Sequence, residues 1–351
     1  MSQSFYIDTF NINSDSPVFI IAELSANHNG SLDNAIATIK AAKRAGANAI
    51  KLQTYTADTI TLNSKTDDFK IKQGTLWDGK YLYDLYKEAY TPWEWHPKLF
   101  TVAKTEGLIC FSSPFDKTAV NLLESLNSPA YKIASFEITD IPLIEYVASK
   151  GKPVIISTGI AGLEDIELAV DACKRIENEQ IILLKCTSSY PATIDEANLT
   201  MIPDLANRFG VIAGISDHTM GITVPIAATV MGAKVIEKHF IIDCSIGGPD
   251  ASFSLNEEEF TAMVKSVREA EVAIGKVDYA LTEKMRKSRE FSRSLYVVED
   301  IKAGEILTNQ NVRSIRPGYG LHPKYYKEVM GRRAKINLKK GTPLKLGDLQ
   351  E

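Results

Sequence analysis

LDNAIATIKAAKRAGANAIKLQ, residues 32–53, carries one helix-to-strand unit in full. Apolar side chains at Ala35, Ile36, Ile39, Ala42 and Ala45 share one face at helical spacing, which predicts a helix over 32–45. Gly46 closes it, because a helix ends readily on a left-handed residue and glycine adopts that conformation without a Cβ clash. Ala49–Gln53 then reads as a short strand, with Lys51 and Gln53 near its end.

The same pattern recurs along the chain. Strands are predicted at Val18–Glu23, Ala49–Gln53, Leu108–Ser112, Tyr131–Ala134, Val154–Ser157, Ile181–Cys186, Val211–Ile215 and Val235–Phe240. Helical patterns occupy Leu32–Ala45, Glu94–Glu106, Lys117–Leu126, Pro142–Ser149, Leu163–Ile176, Leu199–Arg208, Val224–Met231 and Glu257–Ile274. Gly107, Gly151, Gly210 and Gly232 repeat the position of Gly46. The strand runs are mostly continuous in hydrophobicity, as in parallel strands covered on both faces. Eight βα units in about 275 residues fit a (β/α)8 TIM barrel, whose usual length is ~250. A doubly wound open sheet is the rival, but no G-x-G-x-x-G follows the first strand.

After residue 280 the texture changes. Residues 281–292 read as a charged linker. Residues 293–351 form a small β-rich module punctuated by Lys302-Ala303-Gly304-Glu305, Arg316-Pro317-Gly318-Tyr319-Gly320 and Lys339-Lys340-Gly341-Thr342-Pro343. A module of that size is marginal alone, which favours packing on a larger partner.

The 351 residues are 44% hydrophobic and 24% charged with a net charge of −4, which excludes disordered and collagen-like classes and gives no general case for nucleic-acid binding. Charge is unevenly placed: from Arg293 onward 12 basic residues face 6 acidic ones, a net +6 on a body of −10. That division suits either a polyanion-binding appendage or two parts that dock. Met1–Phe10 has no signal-peptide pattern, no stretch reaches the ~18 apolar residues of a membrane span, and Cys110, Cys173, Cys186 and Cys244 form no C-x-x-C pair. The expectation is a cytoplasmic protein with no membrane and no nucleic-acid partner.

In a barrel, chemistry sits at the C-terminal ends of the strands. Those ends are polar in turn: Glu23, Lys51 with Gln53, Ser112-Ser113, Lys132 with Ser135 and Glu137, Ser157, Thr187-Ser188-Ser189-Tyr190, Ser216-Asp217-His218, and Glu237-Lys238-His239. Burying so many polar groups without a ligand is costly. Two lysines ringed by hydroxyls suit a small polyanion such as a phosphate ester, although either lysine alone is as readily a snorkelling side chain. His218 and His239, on neighbouring strand ends, suit a borderline divalent ion such as manganese, with Glu23 and water completing the shell. Asp217 and Glu237 either orient these imidazoles or pair with nearby lysines. His28 is a weaker candidate, and local hydrogen bonding is expected of His96. Tyr81, Tyr83, Tyr86, Tyr90, Trp93 and Trp95 form an aromatic stretch that fits packing under a long loop better than stacking on a sugar.

These strand ends resemble the sialic acid synthase family. The resemblance rests on Ile21–His28, Lys51-Leu52-Gln53-Thr54-Tyr55, Phe111-Ser112-Ser113-Pro114-Phe115, Tyr131–Glu137, Ser157-Thr158-Gly159, Cys186-Thr187-Ser188-Ser189-Tyr190-Pro191, Ser216-Asp217-His218-Thr219 and Glu237-Lys238-His239-Phe240. The tail, through Arg313-Ser314-Ile315-Arg316-Pro317-Gly318, resembles the antifreeze-like (SAF) domain that follows the barrel in this family. Within the family the likeness is to the pseudaminic acid branch, on Leu24–His28, Thr54-Tyr55-Thr56, Leu76-Trp77, Ala134–Glu137, Arg293–Tyr296 and Gly320–Lys324. Phe136 stands where the N-acetylneuraminate branch has glycine, and Ser188 where it has asparagine.

The resemblance implies condensation of phosphoenolpyruvate with 2,4-diacetamido-2,4,6-trideoxy-altrose, with phosphate released. It implies phosphoenolpyruvate contacts from Lys51, Ser113, Lys132, Ser135, Ser157, Ser188 and Ser216. Sugar contacts fall to Gln53, Tyr190, Asp250 and Arg316, catalytic roles to Glu23, Glu137, His218 and His239, and the metal, manganese with magnesium or cobalt as alternatives, to His218 and His239. It also implies a homodimer in which Arg316 serves the other subunit's active site. Legionaminic and N-acetylneuraminic acid synthesis are close alternatives, an aldolase acting on a phosphorylated sugar is a further one, and a polysaccharide-binding protein is the non-enzymatic one.

Overall fold

The computed structural model describes residues 4–72, 74, 77–187 and 192–350. The chain divides into two compact units, residues 1–275 and 276–351. In the first, a hairpin of β1 (Phe5–Ile7) and β2 (Phe10–Ile12) precedes a closed parallel barrel. Its staves are β3 (Phe19–Glu23), β4 (Ala49–Thr54), β5 (Ile109–Pro114), β6 (Tyr131–Ile133), β7 (Val154–Ser157), β8 (Ile181–Cys186), β9 (Ile212–Asp217) and β10 (Val235–His239). They pair in chain order, and β10 closes on β3 with His239 opposite Glu23. Each of the eight expected strands is present, and the helices match within a few residues, Glu257–Ile274 without any shift.

The strand alternation divides the barrel into two regions. Outward residues such as Ile20, Ile50, Ile133, Ile156, Leu183 and Ile236 form one core with the surrounding helices. Inward residues change character along each stave. Phe19, Ile21, Ala49, Phe111, Ile155, Ile182, Leu184 and Val235 fill the N-terminal half, where Phe5, Ile7 and Ile12 of the hairpin join them as a plug. Two residues further along the staves, the inward positions become Glu23, Lys51, Ser113, Ser157, Cys186, Ser216 and Glu237. Side chains alternate with period two, so one apolar-to-polar switch near the end of every stave makes a dry floor and a polar mouth.

Gly210 shows how the short αβ loops are made: it stands at φ +65° after the helix Met201–Phe209, and its N–H returns to Ala206 O at 3.0 Å. Gly214 inside β9 has another reason, because a Cβ there would lie 2.1 Å from Val235 O on the next stave.

The second unit holds a helix at Glu283–Ser288 and a β-rich core. There β11 (Ser294–Val297) pairs antiparallel with β12 (Val312–Ile315), extended by bridges such as Ile301 to Leu338 and Ala334 to Leu349. Leu295, Val297, Leu307, Val312, Val329 and Leu344 are buried at its centre.

Candidate active site

Lys51 and Lys132 project inward from β4 and β6, each almost fully buried. Lys51 Nζ lies 2.6 Å from Glu23 Oε2 and donates to Ser113 Oγ at 3.2 Å. Lys132 Nζ donates to Ser157 Oγ at 2.6 Å. Glu237 stands between them, its Oε1 3.6 Å from Lys132 Nζ, 3.9 Å from Lys51 Nζ, and accepting from Ser216 Oγ at 3.0 Å. Gln53 Nε2 donates to Glu23 Oε1 at 3.1 Å and to Ser25 Oγ at 2.8 Å. These side chains surround an inner chamber of about 60 Å³. It shares Gln53, Ala134, Ser135 and His239 with an outer chamber of about 220 Å³, walled by Tyr55, Trp77, Leu85, Tyr86, Phe115 and Phe136, with Glu137 and Asp250 among its polar groups.

Burial and neighbouring charge set the protonation states. Burial pushes the Glu23 carboxyl up to about 7 despite the opposing pull of Lys51. Burial likewise lifts Glu137 to about 7, against Lys132. Glu237 is also desolvated, yet Lys132 and Lys51 hold it below its ordinary range. Lys132 is lowered by burial, which Glu237 only partly offsets. The inner chamber thus holds two cations, one firm carboxylate and one carboxyl poised near neutrality.

His218 and His239 face each other with ring centroids 5.2 Å apart. His218 Nδ1 lies 2.8 Å from Thr187 O, so an N–H donated to that carbonyl places the lone pair on Nε2. Burial and then the charge of His218 drive His239 well below its ordinary value, which leaves it a neutral imidazole. Its Nδ1 is buried without a hydrogen-bond partner among the described residues, 3.9 Å from Asp250 Oδ2, and Glu237 Oε2 and Glu137 Oε2 are also buried without one. Among the described residues no three or more His, Cys, Asp or Glu side chains form a ready-made metal cage. A neutral His239 with an unsatisfied ring nitrogen, beside a His218 that Cys186 holds above its ordinary value despite burial and that would give up its proton to a metal, fits a divalent ion that keeps open positions for water or substrate.

The structure brings Glu23, Lys51, Gln53, Ser113, Lys132, Ser135, Ser157, Ser216, His218 and His239 around one chamber, with Glu137 and Asp250 beside it. Ser188 and Tyr190 lie outside the described residues. Arg316 is exposed on the second unit. Glu23 Oε1 accepts from Gln53 Nε2 at 3.1 Å, while Oε2 lies 2.6 Å from Lys51 Nζ but is buried without a hydrogen bond among the described residues, so a metal at the histidines would compete with Lys51 for it. Asp217 orients no imidazole by contact: it points outward and pairs with Lys238 at 2.6 Å. His96 bonds locally through Nδ1 to Pro92 O at 3.2 Å and also reaches Thr54 Oγ1 through Nε2 at 2.9 Å, and His28 bonds locally through Nδ1 to Gly30 N at 3.1 Å. The aromatic stretch divides: Tyr86 lines the outer chamber, while Trp95 packs edge-on against His28.

From the sequence Glu237 is an orienting or pairing group and Cys186 a scattered thiol; the structure turns both into the inner chamber. Cys186 Sγ sits 3.4 Å from Ser135 Oγ and 3.8 Å from His218 Nδ1. Counting by twos from the apolar floor residues Leu184 and Val235 finds both.

A closed parallel barrel with two lysines, a hydroxyl ring and a histidine pair at its mouth, followed by a separate β-rich unit, defines a small-polyanion-binding barrel enzyme class. The chain belongs to the NeuB family, whose model matches residues 38–279, and residues 292–350 match the SAF domain. It is 51% identical to a pseudaminic acid synthase of Campylobacter jejuni, over 97% of this chain and 99% of that protein. It is 49% identical to a pseudaminic acid synthase of Helicobacter pylori, over 95% and 98%. A crystal structure of N-acetylneuraminic acid synthetase from Leptospira borgpetersenii matches with a TM-score of 0.73 and 31% identity, covering 82% of this chain and 95% of that one.

Proposed function

We propose that this chain condenses phosphoenolpyruvate with 2,4-diacetamido-2,4,6-trideoxy-altrose to give pseudaminic acid and phosphate. The observation that carries the reading is its near-full-length likeness, at about half identity, to the two pseudaminic acid synthases above. The site is chemically suited to it. Lys51 and Lys132, with Ser113, Ser135, Ser157 and Ser216, offer cations and hydroxyl donors to a carboxylate and a phosphate in a water-poor chamber, where such contacts are stronger than in bulk water. The outer chamber, largely apolar and aromatic, suits a sugar that carries acetamido methyls and a C6 methyl, with Gln53 and Asp250 as its polar contacts. Ser188 and Tyr190 belong to the same reading on the resemblance alone.

The reaction joins C3 of phosphoenolpyruvate to C1 of the open-chain sugar, adds water at C2 and expels phosphate. Glu23 and Glu137, both poised near neutrality, are the groups matched to hold or deliver protons at the sugar oxygens and the incoming water. His218 and His239 would hold a divalent ion, manganese before magnesium or cobalt, which when bound supplies Lewis-acid polarisation of the sugar aldehyde. The assembly proposed is a homodimer in which Arg316 serves the partner subunit's site. A cytoplasmic location fits four cysteines that are all free, and no helix among the described residues is long and apolar enough to cross a membrane.

The test is incubation with phosphoenolpyruvate, manganese and the diacetamido altrose, followed by phosphate release and product mass. Release of one phosphate per nonulosonic acid formed is expected. No turnover with this sugar beside turnover of N-acetylmannosamine or the bacillosamine-derived diacetamido sugar would move the assignment to neuraminate or legionaminate synthesis.

A further inference from the structure

Lys238 and Asp217 are a lysine and an aspartate at strand ends with no place in the chamber. They face away from it, in direct register on β10 and β9, and both are shut off from solvent. Their contact is 2.6 Å. Asp217 Oδ1 also accepts from Thr219 N at 2.9 Å and Thr219 Oγ1 at 2.8 Å, and Lys238 Nζ donates to Thr219 O. Two ions and one residue's full set of backbone polar groups thus form a closed knot on the outside of the barrel.

Burying such a pair seldom adds net stability, since desolvation offsets the attraction and an apolar pair of similar volume does as well. Its location gives it another use. Lys238 opposite Asp217 is the last ladder pair between β10 and β9. His239 continues along β3, opposite Glu23, but His218 lies one residue beyond the end of β9. Among the described residues no ladder bond joins one histidine to the other, and on its far side His218 O accepts from Ala192 N at 3.2 Å. The knot ties the two together, because Asp217 and Thr219 bracket His218 while Lys238 adjoins His239. Alternation then turns both imidazoles inward.

We propose that Asp217 and Lys238 are positioning residues that set the spacing of His218 and His239 from behind the barrel wall. The inference rests on the metal role assigned to these histidines under the proposed function, and its test separates the two. The probes are Asp217→Asn/Lys238→Met, which removes both buried charges together, and the isosteric single variant Asp217→Asn, each made in the full chain.

Manganese affinity is read by calorimetry, steady-state kinetics give kcat and KM separately, and imidazole nitrogen NMR is recorded on the metal-free protein. The double variant is expected to unfold cooperatively, with imidazole resonances displaced for both histidines. Manganese affinity and kcat should each fall by about tenfold, as for groups that orient metal-binding histidines, while KM for phosphoenolpyruvate stays within about twofold. Asp217→Asn should move the same readouts by less. Imidazole resonances that match the unsubstituted protein would overturn the inference, and so would unchanged manganese affinity and kcat. If the unsubstituted chain binds no manganese, the metal reading fails instead, and the metal-free imidazole spectra still decide whether the knot positions the pair.

Discussion

Glu23 Oε2 lies 2.6 Å from Lys51 Nζ with both side chains buried, so this cation of the inner chamber is already committed to an anion of the protein. An incoming carboxylate or phosphate must share Lys51 with Glu23, and protonation of Glu23, whose carboxyl is pushed up to about 7, releases the lysine for it. Replacing Lys51 with alanine should raise KM for phosphoenolpyruvate roughly 10–100-fold, the size of one or two lost charge-assisted hydrogen bonds. Glu23→Gln should instead lower that KM while reducing kcat, because the competing charge and the proton carrier leave together. An unchanged KM in both variants would show that the anion binds elsewhere.

Glu137 gives the pH dependence. Its carboxyl is lifted by burial to about 7, so kcat/KM should titrate with an apparent pKa near 7. Glu137→Gln should lower kcat about 100-fold, the smaller end of general acid–base contributions, and leave only the limb carried by Glu23, whose carboxyl is also pushed up to about 7. Stability moves with a definite sign. A carboxyl whose folded value lies above its unfolded one favours the fold most below about 4.5, and that contribution is lost as pH rises through about 7. The Tm of the unsubstituted chain should therefore fall more between pH 5 and pH 8 than that of the Gln variant, which scanning calorimetry at both pH values checks.

How much of this was legible beforehand depends on which physical signal each residue leaves. The staves were legible because five glycines mark the loops before them and their apolar runs are unbroken. The polar mouth was legible because the switch from Ile21 to Glu23, or from Ala49 to Lys51, falls at the same place in successive units. The sense of each lysine was harder to assign. Lys51 and Lys238 look alike as lysines near strand ends, but parity puts the first inward with Glu23 and the second outward with Asp217. Cys186 leaves no such signal, because a lone thiol reads as apolar although it lies two residues past Leu184 on an inward face.

Phe136 tests the outer chamber. A single 3-10 turn, Ser135–Glu137, places Ser135 against Cys186 and leaves Phe136 61% exposed on the chamber wall. If its ring covers the C6 methyl, Phe136→Ala should cost the deoxy sugar about tenfold in kcat/KM while barely affecting a C6-hydroxylated analogue, since one apolar contact of this kind is worth ~1–3 kcal/mol. Equal losses for the two sugars would place the methyl elsewhere. Competition between the two substrates in one vessel, read by mass spectrometry, measures the ratio directly.

The histidine pair predicts a metal requirement. Exhaustive dialysis against a chelator should abolish phosphate release, and added manganese should restore it. His239→Ala should lower kcat by about 10³-fold, in line with several kcal/mol of Lewis-acid stabilisation, without changing the circular dichroism spectrum. The fold should tolerate this change because His239 is a mouth residue whose Nδ1 has no hydrogen-bond partner among the described residues. Turnover in His239→Ala that equals the unsubstituted enzyme's would remove the metal from this site.

The plug separates stability from chemistry. Sequence periodicity is too weak to show β1 and β2, which have three residues each and are joined through Asp8-Thr9 rather than an Asn-Gly pair, with Asp8 at φ +52°. Yet Ile7 and Ile12 are fully buried against the barrel floor with Phe19, Phe111 and Ile182. Ile7→Ala removes buried apolar surface and leaves a cavity beneath the barrel floor, so it should cost about 2–4 kcal/mol in chemical denaturation. The floor and the mouth are separate layers, and no plug residue lines either chamber. Activity per folded molecule should therefore stay within about twofold, because substitutions at distant sites that share no partners act almost independently. A large fall in kcat at full folding would mean that the apolar floor sets the geometry of Lys51 and Glu23 above it.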